Sequence, residues 1–460
     1  MLPASLVVDL SEIVGAEFVR TDEDALAKYG QDGLKRGHRA ELVVIPGTTS
    51  EVAAIADVCN TGRVPLVVRG GGTGYSGGSV PLRGGLVLSM ERFNRILEID
   101  QENLLAVVEP NVVTGDFQAA VEAVGLFYPP DPASLRESVI GGNIAECAGG
   151  PRAFKYGTTR RYVLGLEVVL PTGQIIRTGS KAVKNVVGYD LTQLIVGSEG
   201  TLAIVTQAVL RLVPKPATQV TIRATFASVE AATEAVSQLI RARVVPSTVE
   251  LVDAASLEAV ARYVGTPLAP PDTGALLLLE VDGMTEAVAE EARRVEAACL
   301  VAGATETVHA TSHAERERLW AVRRELSPAL KTISATKLNH DVVVPRGRIG
   351  GLFELVDALR REYCLTIACF GHAGDGNIHV NMMLDGSDAD QMRRARLAER
   401  RLFEGVVALE GSISGEHGIG FTKSPYLTIE LSSEVIALMK RVKAAFDPHG
   451  ILNPGKIFPE

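Results

Sequence analysis

The chain is short of cysteine motifs, of net positive charge and of long apolar runs, and each shortage closes off a class of protein. Its five cysteines, Cys59, Cys147, Cys299, Cys364 and Cys369, form no Cys-x-x-Cys pair. That excludes a disulfide framework and an iron–sulfur cluster ligated by this chain alone. They are expected to be buried structural thiols, with Cys364 and Cys369 on opposite faces of one strand. The formal net charge of −9 argues against a nucleic-acid partner, because phosphate binding requires clustered Lys and Arg. The longest apolar runs, such as ALLLLEV (275–281), cannot span a bilayer, so no membrane insertion is expected. The N-terminus, MLPASLVVDLSEIVGAE, lacks a basic region and soon turns acidic, unlike a secretory signal. The expectation is a cytoplasmic protein, held at the inner membrane at most through a partner.

What is present is an ordinary globular composition, 46% hydrophobic and 22% charged over 460 residues, long enough for at least two domains. Residues 1–40 read as a helical preamble. From 40 to 213, ELVVIP, PLVVRG, GGLVLSM, LLAVVEP, LEVVLPTG and LAIVTQAVLRLVPKP read as strands, with TSEVAAIADVCNTG and VTGDFQAAVEAVG as intervening helices. After Pro214 and Pro216 longer helices alternate with strands, the texture of a separate α+β domain. The expected division is 1–216, 217–430 and a C-terminal helix and tail at 431–460.

The loop RGGGTGYSGG (69–78) contains a formal G-x-G-x-x-G. A dinucleotide fingerprint of that form must open a helix. Here Pro81 and the pair Gly84–Gly85 follow, which forbid one. What remains is a glycine nest between strands, able to aim backbone N–H groups at phosphate oxygens, with hydroxyl donors from Thr73 and Ser76.

This loop, YPPDPASLRESVIGGNIAECAGG (128–150) and VKNVVGYDLTQLIVGSEGTLAIVT (183–206) together resemble the FAD domain of the vanillyl-alcohol-oxidase (PCMH-type) flavoproteins. The subgroup most resembled is that of D-lactate dehydrogenase, D-2-hydroxyglutarate dehydrogenase and the D-type polypeptide of glycolate oxidase, over about residues 40–460. The resemblance implies an α+β fold of FAD-binding domain plus an antiparallel-sheet cap domain. It implies that Arg69, Gly70, Gly71, Gly72, Thr73, Gly74, Ser76, Gly77 and Gly78 hold the FAD pyrophosphate. It also implies cofactor contacts from Pro130, Asp131, Ser134, Gly141, Gly142, Asn143, Gly197, Glu199, Gly200, Ile204 and, on a returning C-terminal tail, Asn453. Covalent relatives carry a His in the glycine loop; this loop has none, so dissociable FAD is expected.

Of eight histidines, three fall in two short motifs, GHAGDGNIH (371–379) and GEHG (415–418). A turn centred between Asp375 and Gly376 sets His372 opposite His379, a spacing suited to two imidazoles on one ion. Glu416 is the third ligand expected, completing a His₂-carboxylate set with open positions that suits Zn, Mn or Fe. His417 diverges from its neighbour and is left as a base; the resembled family gives it that role, beside the flavin.

A 2-hydroxy acid would lose its hydroxyl proton to His417 while a divalent ion lowers the hydroxyl pKa. Its carboxylate calls for an Arg, and Arg323 in LWAVRRELS matches the family's substrate arginine, with Arg324 an alternative register and Ser327 one turn on. Relatives acting on 2-hydroxyglutarate carry a Lys where this chain has Asn339, though Lys337 is nearby. That favours glycolate or D-lactate over the diacid. Electrons are expected to leave to a partner subunit (an iron–sulfur one among the candidates), a quinone, a cytochrome or an electron-transferring flavoprotein, and a homodimer is a further expected partner. Two rival readings are a metal-free flavin alcohol oxidase and a non-catalytic scaffold within a larger oxidase.

Overall fold

The computed structural model describes residues 2–35, 37–310, 312–334 and 336–459. The chain divides into two units, one of Met1–Gly150, Gly157–Lys215 and Glu416–Glu460, the other of Pro151–Tyr156 and Pro216–Gly415. The return to the first unit begins at Glu416, earlier than the expected 431. The excursion at 151–156 belongs with the second unit because Lys155 Nζ (2.5 Å) and Tyr156 Oη (2.7 Å) bond the Asp282 carboxylate.

In the first unit, Leu42–Val44, Leu86–Ser89 and Leu66–Arg69 pair in parallel, with Val19–Arg20 antiparallel at one edge. Parallel strands are covered on both faces, which explains their unbroken apolar runs. The helix Thr49–Gly62 starts where the Thr48 side chain accepts from Glu51 N, and buries Val52, Ile55, Ala56 and Cys59 against Leu6, Leu10 and Val14. The C-terminal tail pairs Leu452 with Leu66 on this sheet.

A second, antiparallel sheet runs in the order Ile96–Asp100, Leu105–Val108, Ile204–Arg211, Val163–Val169, Ile175–Gly179. Its three inner strands are legible as apolar runs. The two outer strands are not, because only one side pairs and most of their side chains are at least partly exposed.

The second unit is built on a seven-stranded antiparallel sheet, ordered Glu306–Ala310, Thr218–Phe226, Ala275–Gly283, Thr248–Asp253, Thr366–His372, Asn377–Leu384, Thr336–Val343. The helix His313–Ile333 opens on a capping box between Ser312 and Glu315. It buries Val322, Leu326, Ala329 and Leu330 against Val252, Ala368, Phe370 and Met383. Among the described residues, no helix is long and apolar enough to cross a membrane. Cys369 is buried in its strand, but Cys364 is exposed and caps the helix Ile349–Tyr363 in a left-handed conformation. Strand pairing begins only at Thr366, so the two cysteines do not share a strand.

Candidate active site

In the first unit the glycine loop leaves the strand Leu66–Arg69 and enters no helix. A Cβ at Gly71 would stand 2.6 Å from Glu137 O, and Gly77 combines φ +81° with a Phe421 ring carbon 2.0 Å from where its Cβ would be. Side chains are shut out at both points, so the backbone amides line the loop. Gly77 N donates to Asp32 Oδ2 (2.9 Å). Ser76 Oγ is buried without a hydrogen-bond partner among the described residues. The Arg69 guanidinium packs against Gly72 of the loop, bonds the Gln31 carbonyl and lies over the Tyr29 ring.

Several other residues expected along the cofactor are held by partners within the first unit. Asn143 Nδ2 bonds Thr114 Oγ1 (2.8 Å), and Pro130 O accepts from Gln118 Nε2 (2.8 Å). Ser134 O accepts from Glu137 N and Ser138 N. Ile204 is fully buried in the core. Glu199 accepts from Ile419 N (2.7 Å) and Gly420 N (2.6 Å). Asn453 Nδ2 clamps Gly78 O (2.8 Å) to Glu199 O (2.7 Å), and Lys456 Nζ bonds Asn453 Oδ1. The tail thus braces the loop's far end. The His417 ring lies 5.6 Å from that of Tyr75, centroid to centroid.

The second unit presents one face of its sheet as a row of polar side chains. The hairpin pairs His372 with Asn377 and Phe370 with His379. The expected turn centre was therefore one residue too far along, because four residues, Ala373–Gly376, make the turn. The histidines are nonetheless diagonal neighbours on one face, their ring centroids 5.5 Å apart and both buried. On the next strand Asp341 stands opposite His379, and Asn377 Nδ2 donates to Asp341 Oδ1 (2.6 Å). Gly415 N donates to Asp341 Oδ2 (3.0 Å), so the residue preceding Glu416 is tied to this face.

Glu250 escaped the sequence reading. It is fully buried on Thr248–Asp253, and its carboxylate bonds His372 Nδ1 with one oxygen and Arg323 Nε with the other. Burial pushes its pKa up, but His372 and Arg323 outweigh that and hold it at about 2. A carboxylate on Nδ1 directs Nε2 outward, the usual orientation of a metal-binding imidazole. Arg323 also stacks over Phe370, 4.8 Å from the ring. Its Nε is committed, while its two Nη groups have no partner among the described residues. Arg324 is about half exposed and bonds Glu317, which settles which of the pair faces the histidines. Further along the face, Lys337 Nζ donates to Ser327 Oγ (3.0 Å), Asn339 Nδ2 donates to Asn381 Oδ1 (2.8 Å), and burial pushes Lys337 down to about 8.

Residues 215–457 match the family described as FAD linked oxidases, C-terminal domain, and residues 40–179 match the FAD binding domain family. The glycolate oxidase subunit GlcD of Bacillus subtilis (strain 168) is 46% identical over 418 residues, 91% of this chain and 89% of that protein. The D-lactate dehydrogenase of Anaerostipes hadrus is 34% identical, covering 94% of this chain and 91% of that one. In fold, the chain is similar to p-cresol methylhydroxylase, with a TM-score of 0.80 at 17% identity over 98% of this chain and 96% of that one.

Proposed function

The chain belongs to the FAD-linked oxidases, and we propose that it oxidises a small 2-hydroxy acid, glycolate or D-lactate, to the 2-oxo acid with the help of a divalent ion. The observation that carries this is the buried His372–His379 pair, whose first member shares the Glu250 carboxylate with Arg323. Imidazole and carboxylate donors with open positions suit Zn, Mn or Fe, and His372, His379 and Glu416 are the residues we assign to hold the ion. Non-covalent FAD fits the glycine nest, with the buried Ser76 hydroxyl as a donor. When bound, the ion lowers the pKa of the substrate hydroxyl and FAD accepts the hydride.

The chain's own residues do the rest. The Nη groups of Arg323 meet the substrate carboxylate as a bidentate fork. Glu250 fixes that guanidinium and the His372 ring together, so the carboxylate site and the metal site share one anchor. His417 takes the hydroxyl proton as the general base. Electrons then leave to a partner, as befits a chain similar to a protein named as an oxidase subunit.

Lys337 favours a second reading. It is a cation on the same sheet face as Asn339, Asp341 and His379, and it supplies the charge that a second carboxylate would need. D-2-hydroxyglutarate is the substrate on that reading. Anaerobic mixing with glycolate, each lactate and each 2-hydroxyglutarate, following flavin bleaching, tests both readings. Bleaching by the D-diacid alone selects the second, and bleaching by L-lactate alone contradicts both.

A further inference from the structure

Glu146 ends the short helix Ile140–Glu146 beneath the glycine loop. Its carboxyl fits only because two neighbours lack side chains. A Cβ at Gly78 would stand 2.6 Å from Oε1, and one at Gly418 would stand 2.3 Å from Oε2. Oε2 is buried and has no hydrogen-bond partner among the described residues.

The charged groups facing it are Glu199, Asp32 and Lys456, and each is bonded elsewhere. Glu199 takes two backbone N–H groups, from Ile419 and Gly420. Asp32 takes those of Leu34 and Gly77. Lys456 Nζ serves Val80 O (2.6 Å) and Asn453 Oδ1 (3.0 Å). Two adjacent buried carboxyls do not both ionise, and the charge settles on the one with donors around it, Glu199. The proton therefore stays on Glu146, whose pKa burial and the nearby Glu199 push well up. A protonated carboxyl is a hydrogen-bond donor, and a buried donor without an acceptor is costly. No acceptor for it is in place among the described residues.

We propose that Glu146 is a neutral acid that donates a hydrogen bond to the ring end of bound FAD. The position argues for the ring rather than the phosphates, because Gly418 directly follows His417, the base assigned above. The inference rests on the cofactor reading, and it makes Glu146 a positioning residue, not a participant in proton or hydride transfer.

The test is FAD titration of the apoprotein by fluorescence quenching between pH 6 and 9, with the visible spectrum recorded at saturation. Glu146→Gln, which keeps a donor, should bind FAD within about twofold of the parent and lose the weakening with rising pH that the parent shows. Glu146→Ala should bind about tenfold more weakly, the loss of one buried hydrogen bond, with a displaced flavin band. An alanine variant with unchanged affinity and spectrum overturns the proposal. So does a glutamine variant with the parent's pH dependence, which decides the matter even if the alanine variant does not fold. A parent protein that takes up no FAD at any pH overturns the cofactor reading as well, so the two failures are distinguishable.

Discussion

Replacing Glu250 with Gln keeps the volume of the side chain and removes the charge that His372 and Arg323 share. Arg323 is 13% exposed and Glu250 not at all, so the substitution leaves a guanidinium buried beside a neutral amide. Breaking a buried pair from one side costs about 3–5 kcal/mol. A second route gives a similar figure. The carboxyl is held at about 2 against an ordinary 4.5, and at about 1.4 kcal/mol per pH unit that depression is worth roughly 3–4 kcal/mol. The sign follows from the direction of the shift. A depressed carboxyl contributes fully above pH 4.5 and loses that contribution as pH falls through 4.5 toward 2. Urea denaturation at pH 7 should therefore show the variant about 3 kcal/mol less stable than the parent. The gap should narrow below pH 4.5, and metal affinity should fall about 10- to 100-fold with the loss of His372 orientation. Equal stability at pH 7, or a gap that does not change with pH, would refute the bridging role.

His417→Asn should abolish flavin bleaching while FAD and metal remain bound, as read from the visible spectrum and metal analysis. Lys337 is a half-buried cation with a depressed pKa, so its charge opposes folding below pH 8 and ceases to do so as pH rises toward 10.5. Lys337→Met should raise stability at pH 7 by about 1–2 kcal/mol, with the gain vanishing in alkaline denaturation series. On the diacid reading the same variant raises the KM for D-2-hydroxyglutarate and leaves that for glycolate unmoved. Gly77→Ala forces a Cβ into the Phe421 ring at a positive φ, so a cost of at least about 2 kcal/mol and loss of FAD retention are expected in thermal melts and flavin content.

The inner strands and long helices were legible because their apolar periods are undiluted, and the glycine loop because proline and further glycines after it rule out a helix. The outer strands Ile96–Asp100 and Ile175–Gly179 were not, since half-exposed edge strands carry polar residues. Thr248–Asp253 was missed for the opposite reason. Its Glu250 is an acidic residue at a wholly buried position, bonded by His372 and Arg323 far along the chain, and Asp253 joins a local helix cap at Ser256 to the distant Arg360. No local pattern announces a charge whose partners lie 73 and 122 residues away. Spacing placed the two histidines on one face but misjudged the turn by a residue, and diagonal pairing preserved their proximity.

The central claim is that a metal held by His372 and His379 assists oxidation of a 2-hydroxy acid by bound flavin. Stopped-flow bleaching of the flavin band, run anaerobically with D-lactate and with glycolate before and after chelation, tests it most directly. The predicted result is bleaching by at least one of them that chelation abolishes and added Zn, Mn or Fe restores, with FAD bound throughout. Bleaching at the full rate by metal-free protein would contradict it.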